Sequence, residues 1–169
     1  MKHRRHRLAR PAYLGYGTYF LTICVLNRKP LFPQPSLVGV ILSSMEKAFR
    51  NNNFLIEAYC FMPDHCHILA GALSENCDLA RAVRAFKGVS TPCARELGIR
   101  NLWQPGYYDH ILRADESVNS VAAYIFGNPV RAGLVDDPHD WPFSGSFHFE
   151  WRKVAVSEVG AGLPRGAAG

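Results

Sequence analysis

The stretch Tyr59-Cys60-Phe61-Met62-Pro63-Asp64-His65-Cys66-His67-Ile68-Leu69-Ala70 constrains this chain more than any other. Apolar and β-favouring residues flank a Pro-Asp break, so it reads as two short strands joined into a hairpin at Met62-Pro63-Asp64. Side chains alternate between faces along a strand, which puts His65 and His67 on one face and Cys66 and Ile68 on the other. Two rises of about 3.3 Å each set the imidazoles roughly 7 Å apart along that face, where they can hold one divalent ion. A His-x-His pair is also common in strands where it only packs. Spacing alone therefore does not choose between a metal site and an ordinary sheet face.

The segments around the hairpin supply its partners. Gly17 to Leu26 is rich in β-branched and aromatic residues and reads as a first strand. Ser36 can cap a helix to about Asn51, with Leu37, Val40, Ile41, Met45, Ala48 and Phe49 at helical spacing. Phe54–Met62 and His65–Leu73 are the hairpin strands. Asp78 can cap a helix from Leu79 to about Val89, and Thr91-Pro92 reads as the start of a separate helical piece ending at Gly98. Tyr107–Arg113 is a fourth strand, and Asp115 or Ser117 caps a helix through about Asn128, where Pro129 opposes continuation. Residues 130–150 are expected to pack irregularly. The order β-α-β-β-α-β-α indicates an α+β fold of ferredoxin-like plan: one antiparallel sheet with two helices on one face. The added C-terminal helix, carrying Tyr124, is then free to cover the other face.

At 169 residues the chain is expected to form a single domain over 16–150, with a flexible basic arm at 1–15. The tail at 151–169 is expected to be disordered toward its Gly/Ala-rich end. Five cysteines without a Cys-x-x-Cys pair read as reduced thiols of a cytoplasmic protein. No run approaches the roughly 18 apolar residues of a membrane span. The net charge of +5 is concentrated in Lys2, Arg4, Arg5, Arg7 and Arg10, which leaves 14 basic and 14 acidic residues in the remainder. A basic arm on a neutral body suits a polyanion, with nucleic acid the first candidate, although a solvated terminus has the same composition.

Tyr124 and Asn128 stand four residues apart and share one helix face. A tyrosine hydroxyl, with a pKa near 10, needs a base or a nearby cation to act as a nucleophile. A metal held by His65, His67 and the Asn128 side-chain oxygen would provide that cation, and this donor set suits Mg²⁺ or Mn²⁺ in an open, partly hydrated site. Spacing alone also permits a packing tyrosine and a helix-end asparagine. Lys87, Arg113 and Arg131, with Arg4, Arg5 and Arg7 of the arm, are candidate phosphate contacts or ordinary surface charges. His110 is either an accessory to the site or a hydrogen-bonded structural histidine.

Met62-Pro63-Asp64-His65-Cys66-His67-Ile68-Leu69 resembles the HUH motif (His, hydrophobic residue, His) of single-tyrosine transposases, with Cys66 at the hydrophobic position. Tyr124-Ile125-Phe126-Gly127-Asn128-Pro129-Val130-Arg131-Ala132-Gly133-Leu134-Val135 resembles the tyrosine helix of the same group, particularly the REP-associated tyrosine transposases. Tyr19 to Cys24 with Asn27-Arg28, Phe86-Lys87-Gly88, Trp103-Gln104, Tyr107 to Arg113 and Trp141-Pro142-Phe143-Ser144 extend the likeness, in order, over roughly residues 16–146. The resemblance implies a nucleoid-associated enzyme that cleaves and rejoins single-stranded or hairpin DNA, such as a repetitive extragenic palindrome or a transposon end. It implies Tyr124 as the nucleophile forming a 5′-phosphotyrosine link, His65, His67 and Asn128 as metal ligands, and action as a monomer or homodimer. A catalytically idle, domesticated hairpin-binding protein is the alternative. Two positions depart from the family pattern: Gly127 inside the tyrosine helix, and Gly145, where Trp-Pro-x-Ser usually continues with Ser.

Overall fold

The computed structural model describes residues 13–153. In chain order the elements are β1 (Thr18–Cys24), α1 (Pro35–Arg50), β2 (Phe54–Met62), β3 (His65–Ala72), α2 (Leu79–Glu96), β4 (Tyr108–Ile111), α3 (Val118–Phe126), α4 (Asn128–Arg131) and β5 (Ser144–Gly145). The sheet runs β4-β1-β3-β2-β5 with every neighbouring pair antiparallel. Its first four strands follow the ferredoxin-like order expected from the sequence, and β5 is added on the β2 edge, in a segment expected to be irregular. No helix among the described residues is long and apolar enough to cross a membrane.

Both faces of the sheet are covered, so the central strands read as nearly continuous apolar runs. On one face Tyr19, Leu21 and Ile23 of β1 and Ile68 and Ala70 of β3 meet Leu37, Ile41, Met45 and Phe49 of α1 and Leu79, Val83 and Phe86 of α2. On the other face α3 lays Val121, Ala122, Ile125 and Phe126 over Phe20, Ala58, Cys60 and Leu69. Burying each of its larger apolar side chains stabilises by about 1.5–3 kcal/mol, which fixes this short helix on the sheet.

A bulge in β2 decides which residues face α3. The β2–β3 register slips between Ile56 and Ala58, leaving Glu57 as the extra residue. Phe54 and Ile56 point toward α1 and α2, whereas after the bulge Ala58, Cys60 and Met62 point toward α3. The hairpin tip is pinned from outside: Phe32 N donates to Pro63 O at 3.0 Å and Val25 N to Asp64 O at 2.9 Å.

Several expectations are corrected. The helix expected to stop near Val89 continues through Pro92 to Glu96. The proline removes only the N–H that would meet Gly88 O, and the Ser90 and Thr91 hydroxyls donate to Phe86 O and Lys87 O at 2.7 Å each, so the surrounding turn stays satisfied. The tyrosine helix ends at Phe126, with Gly127 as its cap and Asn128 opening the one-turn α4. Tyr13, expected in the flexible arm, is buried in the core, and Gly15 N bonds Cys77 O at 3.0 Å. Trp151, expected in the tail, stacks on Phe126 at 4.5 Å. All five cysteines are free. The departure at Gly145 has a packing cause: a Cβ there would stand 2.3 Å from the hydroxyl of Tyr59, its cross-strand partner.

Candidate active site

Register brings five side chains into one row across the α3 face: Ser144, Cys60, His67, Thr22 and Tyr108, from β5, β2, β3, β1 and β4. His65 lies in the next row, between Met62 and Cys24. The two imidazoles do more than share a face. Their rings tilt together until His65 Nε2 and His67 Nε2 are 3.1 Å apart.

The opposite edge of each ring is held by protein. His65 Nδ1 is 2.6 Å from Asp64 Oδ1, and the other Asp64 oxygen takes the Arg28 guanidinium at 2.7 Å. A carboxylate paired to arginine accepts, so the proton sits on His65 Nδ1 and the Nε2 lone pair points at His67. His67 Nδ1 is 2.9 Å from the Thr22 hydroxyl, which can accept from it or donate to it. In the first tautomer both Nε2 lone pairs face a common point; in the second, His67 Nε2–H donates to His65. Arg28 reaches Asp64 from a turn in which Asn27 (φ 57°) and Arg28 (φ 54°) both adopt the left-handed region, a conformation that costs of order 1 kcal/mol or more per residue.

Burial lowers the His65 pKa, partly offset by the Asp64 hydrogen bond and charge. His67 lies well below the usual imidazole range, first because it is buried, then because His65, Arg131 and Arg28 place positive charge nearby. Both rings are thus neutral at pH 7, the state a metal ligand requires. The Nε2 spacing also fits an ion: two bonds of about 2.1 Å at a right angle put their donors about 3.0 Å apart. His65 and His67 can therefore hold a divalent cation, whereas no group of three or more His, Cys, Asp or Glu side chains among the described residues does so. The neighbouring Cys60 thiol is pushed up to about 12 by burial and stays protonated.

Tyr124 is one ring away. Phe20 stacks on His67 with centroids 5.3 Å apart and meets the Tyr124 ring edge-on at 6.3 Å. The phenol hydroxyl makes no hydrogen bond among the described residues, and Arg131 lies over the ring with Cζ 3.9 Å from its centroid. Asn128 turns back on its own helix, its Nδ2 lying 3.3 Å from both Tyr124 O and Ile125 O. Pro129 has no N–H for the Ile125 carbonyl, and the Asn128 amide replaces it. The Asn128 Oδ1 remains an acceptor without a hydrogen bond among the described residues.

The other sequence candidates have separate placements. Lys87 Nζ donates to Gln104 O at 2.8 Å and to Gly106 O, tying α2 to the 101–106 loop. His110 shares the α3 face but pairs with Glu116 at 2.8 Å, while the Arg113 side chain is exposed. Arg4, Arg5 and Arg7 lie outside the described residues. Asp64, Thr22, Arg28 and Phe20 were not legible as site residues. Thr22 carried the clearest signal, a lone hydroxyl in an apolar run that must find a buried partner.

This sheet, its hairpin histidines and its late tyrosine helix define the group, and the chain belongs to the IS200-like transposase family, whose model matches residues 16–128. Within that family it is similar to the REP-associated tyrosine transposase of Escherichia coli (strain K12), at 30% identity over 136 residues, 80% of this chain and 79% of the relative. A relative from Haemophilus influenzae is 29% identical over 164 residues, covering 88% of this chain and 89% of that protein. Among solved structures, that of a REP-associated tyrosine transposase bound to a REP hairpin superposes with a TM-score of 0.70 at 28% identity, covering 82% of this chain and 80% of that one.

Proposed function

We propose that this transposase nicks and rejoins single-stranded DNA beside a hairpin, with Tyr124 as nucleophile and His65, His67 and the Asn128 oxygen as ligands of Mg²⁺ or Mn²⁺. One observation carries the reading: two neutral imidazoles converge to 3.1 Å on the sheet face that also bears Tyr124. The bound metal would supply the Lewis acidity that polarises the scissile phosphate. Tyr124 Oη attacks phosphorus and loses its proton to solvent; the P–O3′ bond breaks, and the 3′ oxygen leaves as a hydroxyl after taking up a proton. The product is a 5′-phosphotyrosine. Because the phosphodiester energy is retained, a 3′-hydroxyl can reverse the attack and join strands without a nucleotide cofactor. The REP hairpin named for the structural relative supports folded DNA as the substrate.

The test is incubation with a hairpin oligonucleotide and Mn²⁺ followed by a denaturing gel. A slow-migrating protein–DNA species is expected, absent in Tyr124→Phe while hairpin affinity stays within a few-fold. Linkage that persists in Tyr124→Phe excludes the nucleophile. A gel shift under native conditions with no covalent species from the unaltered chain supports a binding protein instead.

A further inference from the structure

Gly127 is the family departure with the clearest consequence for Tyr124. Its φ of −78° is one that any residue adopts, so conformational freedom is not what the position requires. It requires space: a Cβ on Gly127 would stand 2.7 Å from Arg131 Nη1, with the Ala123 carbonyl 3.4 Å away on the helix side. Arg131 passes through that gap. Its Nη2 donates to the Tyr124 carbonyl and its guanidinium carbon lies over the Tyr124 ring, Cζ 3.9 Å from the centroid.

We propose that Arg131 is the positioning residue for Tyr124, and that Gly127 is present because a side chain there would displace the guanidinium from the phenol ring. The inference rests on Tyr124 being the nucleophile. A guanidinium carries five N–H donors in a fixed fork, and the carbonyl takes one edge of it. Arg131 is exposed, and its other donors make no hydrogen bond among the described residues, so they can meet the two non-bridging oxygens of a phosphodiester. One cation then fixes the ring and receives the phosphate that the ring must attack. Lysine could supply charge at this position but neither the planar group nor the fork.

The experiment compares the full-length protein with Arg131→Ala, Arg131→Lys, Gly127→Ala and the double variant Gly127→Ala/Arg131→Ala. Adduct formation is timed on saturating hairpin DNA with Mn²⁺, affinity is measured separately, and Tyr124 ring resonances are followed by NMR without DNA or metal. Arg131→Ala is expected to slow adduct formation tenfold or more at saturation, with a smaller change in affinity, and Arg131→Lys is expected to recover only part of it. Gly127→Ala keeps the charge but displaces it, so it should slow the step similarly. In the double variant the clash is gone, and the rate should match Arg131→Ala rather than fall further. Both single alanine variants should shift the Tyr124 ring resonances.

A native rate in Gly127→Ala, or losses that multiply in the double variant, overturns the proposal. So does a fall in melting temperature with rate and affinity reduced equally, which would make Arg131 a helix cap only. The ring resonances separate this inference from the nucleophile assignment. An unmoved ring in Arg131→Ala overturns the contact whichever residue attacks DNA. A shifted ring alongside linkage that persists in Tyr124→Phe upholds the contact and overturns the role in catalysis.

Discussion

Asp64 and Thr22 determine what the two histidines can do. Each holds the Nδ1 edge of one ring, and together they decide that the Nε2 edges converge. Sequence shows the histidine pair but not these partners, because adjacency to His65 does not by itself predict contact, and Thr22 comes from a strand 45 residues earlier. Groups that orient metal ligands are commonly worth about 10–100-fold in metal affinity. Asp64→Asn keeps an acceptor for His65 but removes the charge that pairs with Arg28. It is expected to weaken Mn²⁺ binding about tenfold or more by isothermal titration, and an unchanged Kd would remove Asp64 from the site. Asn128 has a second task besides the one expected of its oxygen. Its amide nitrogen caps the broken helix, and the oxygen it offers a metal is the one left over.

At the scale of elements, the legible part was what depends on local periodicity. β1, α1, the hairpin and β4 lie within a few residues of where alternation and helical spacing put them, and the face shared by His65 and His67 followed from the strand period alone. What was not legible depends on compensation elsewhere. Thr91-Pro92 reads as a helix start, yet in α2 the proline is exposed and its neighbours' hydroxyls occupy adjacent carbonyls. Pro92→Ala restores an N–H opposite Gly88 O without removing packed atoms. It is expected to stabilise the protein by about 1–3 kcal/mol in denaturant unfolding, and a loss of stability would show that Pro92 is required for the helix path. The two-residue β5 was illegible for a similar reason. Its glycine makes sense only beside Tyr59, a residue 86 positions away in the chain.

The whole molecule is a sheet between two apolar layers, and the site is where the thinner layer, built from α3 and Trp151, gives way to polar groups. Keeping two imidazoles neutral there links stability to pH. In the unfolded chain each histidine takes a proton near pH 6.5, whereas burial holds both folded values lower. As pH falls below about 6.5 the unfolded state binds more protons. Stability is therefore intact above that pH and is lost toward the lowered folded values, by up to about 1.4 kcal/mol per pH unit for each ring. Denaturant unfolding with EDTA at pH 7.5 and at pH 5 is expected to show the drop, and His67→Gln should flatten it; an equal slope in that variant would assign the effect to other groups. The extra residue at Glu57 has a consequence of another kind. The bulge absorbs one residue and so sets the phase of everything downstream in β2. Pairing the strand through without the bulge would turn Cys60 and Met62 inward and push Tyr59 and Phe61 out toward α3, whereas deleting Glu57 would leave all four facing as they do. Surface loops in general tolerate gained or lost residues, but the count between that point and the hairpin is fixed by parity.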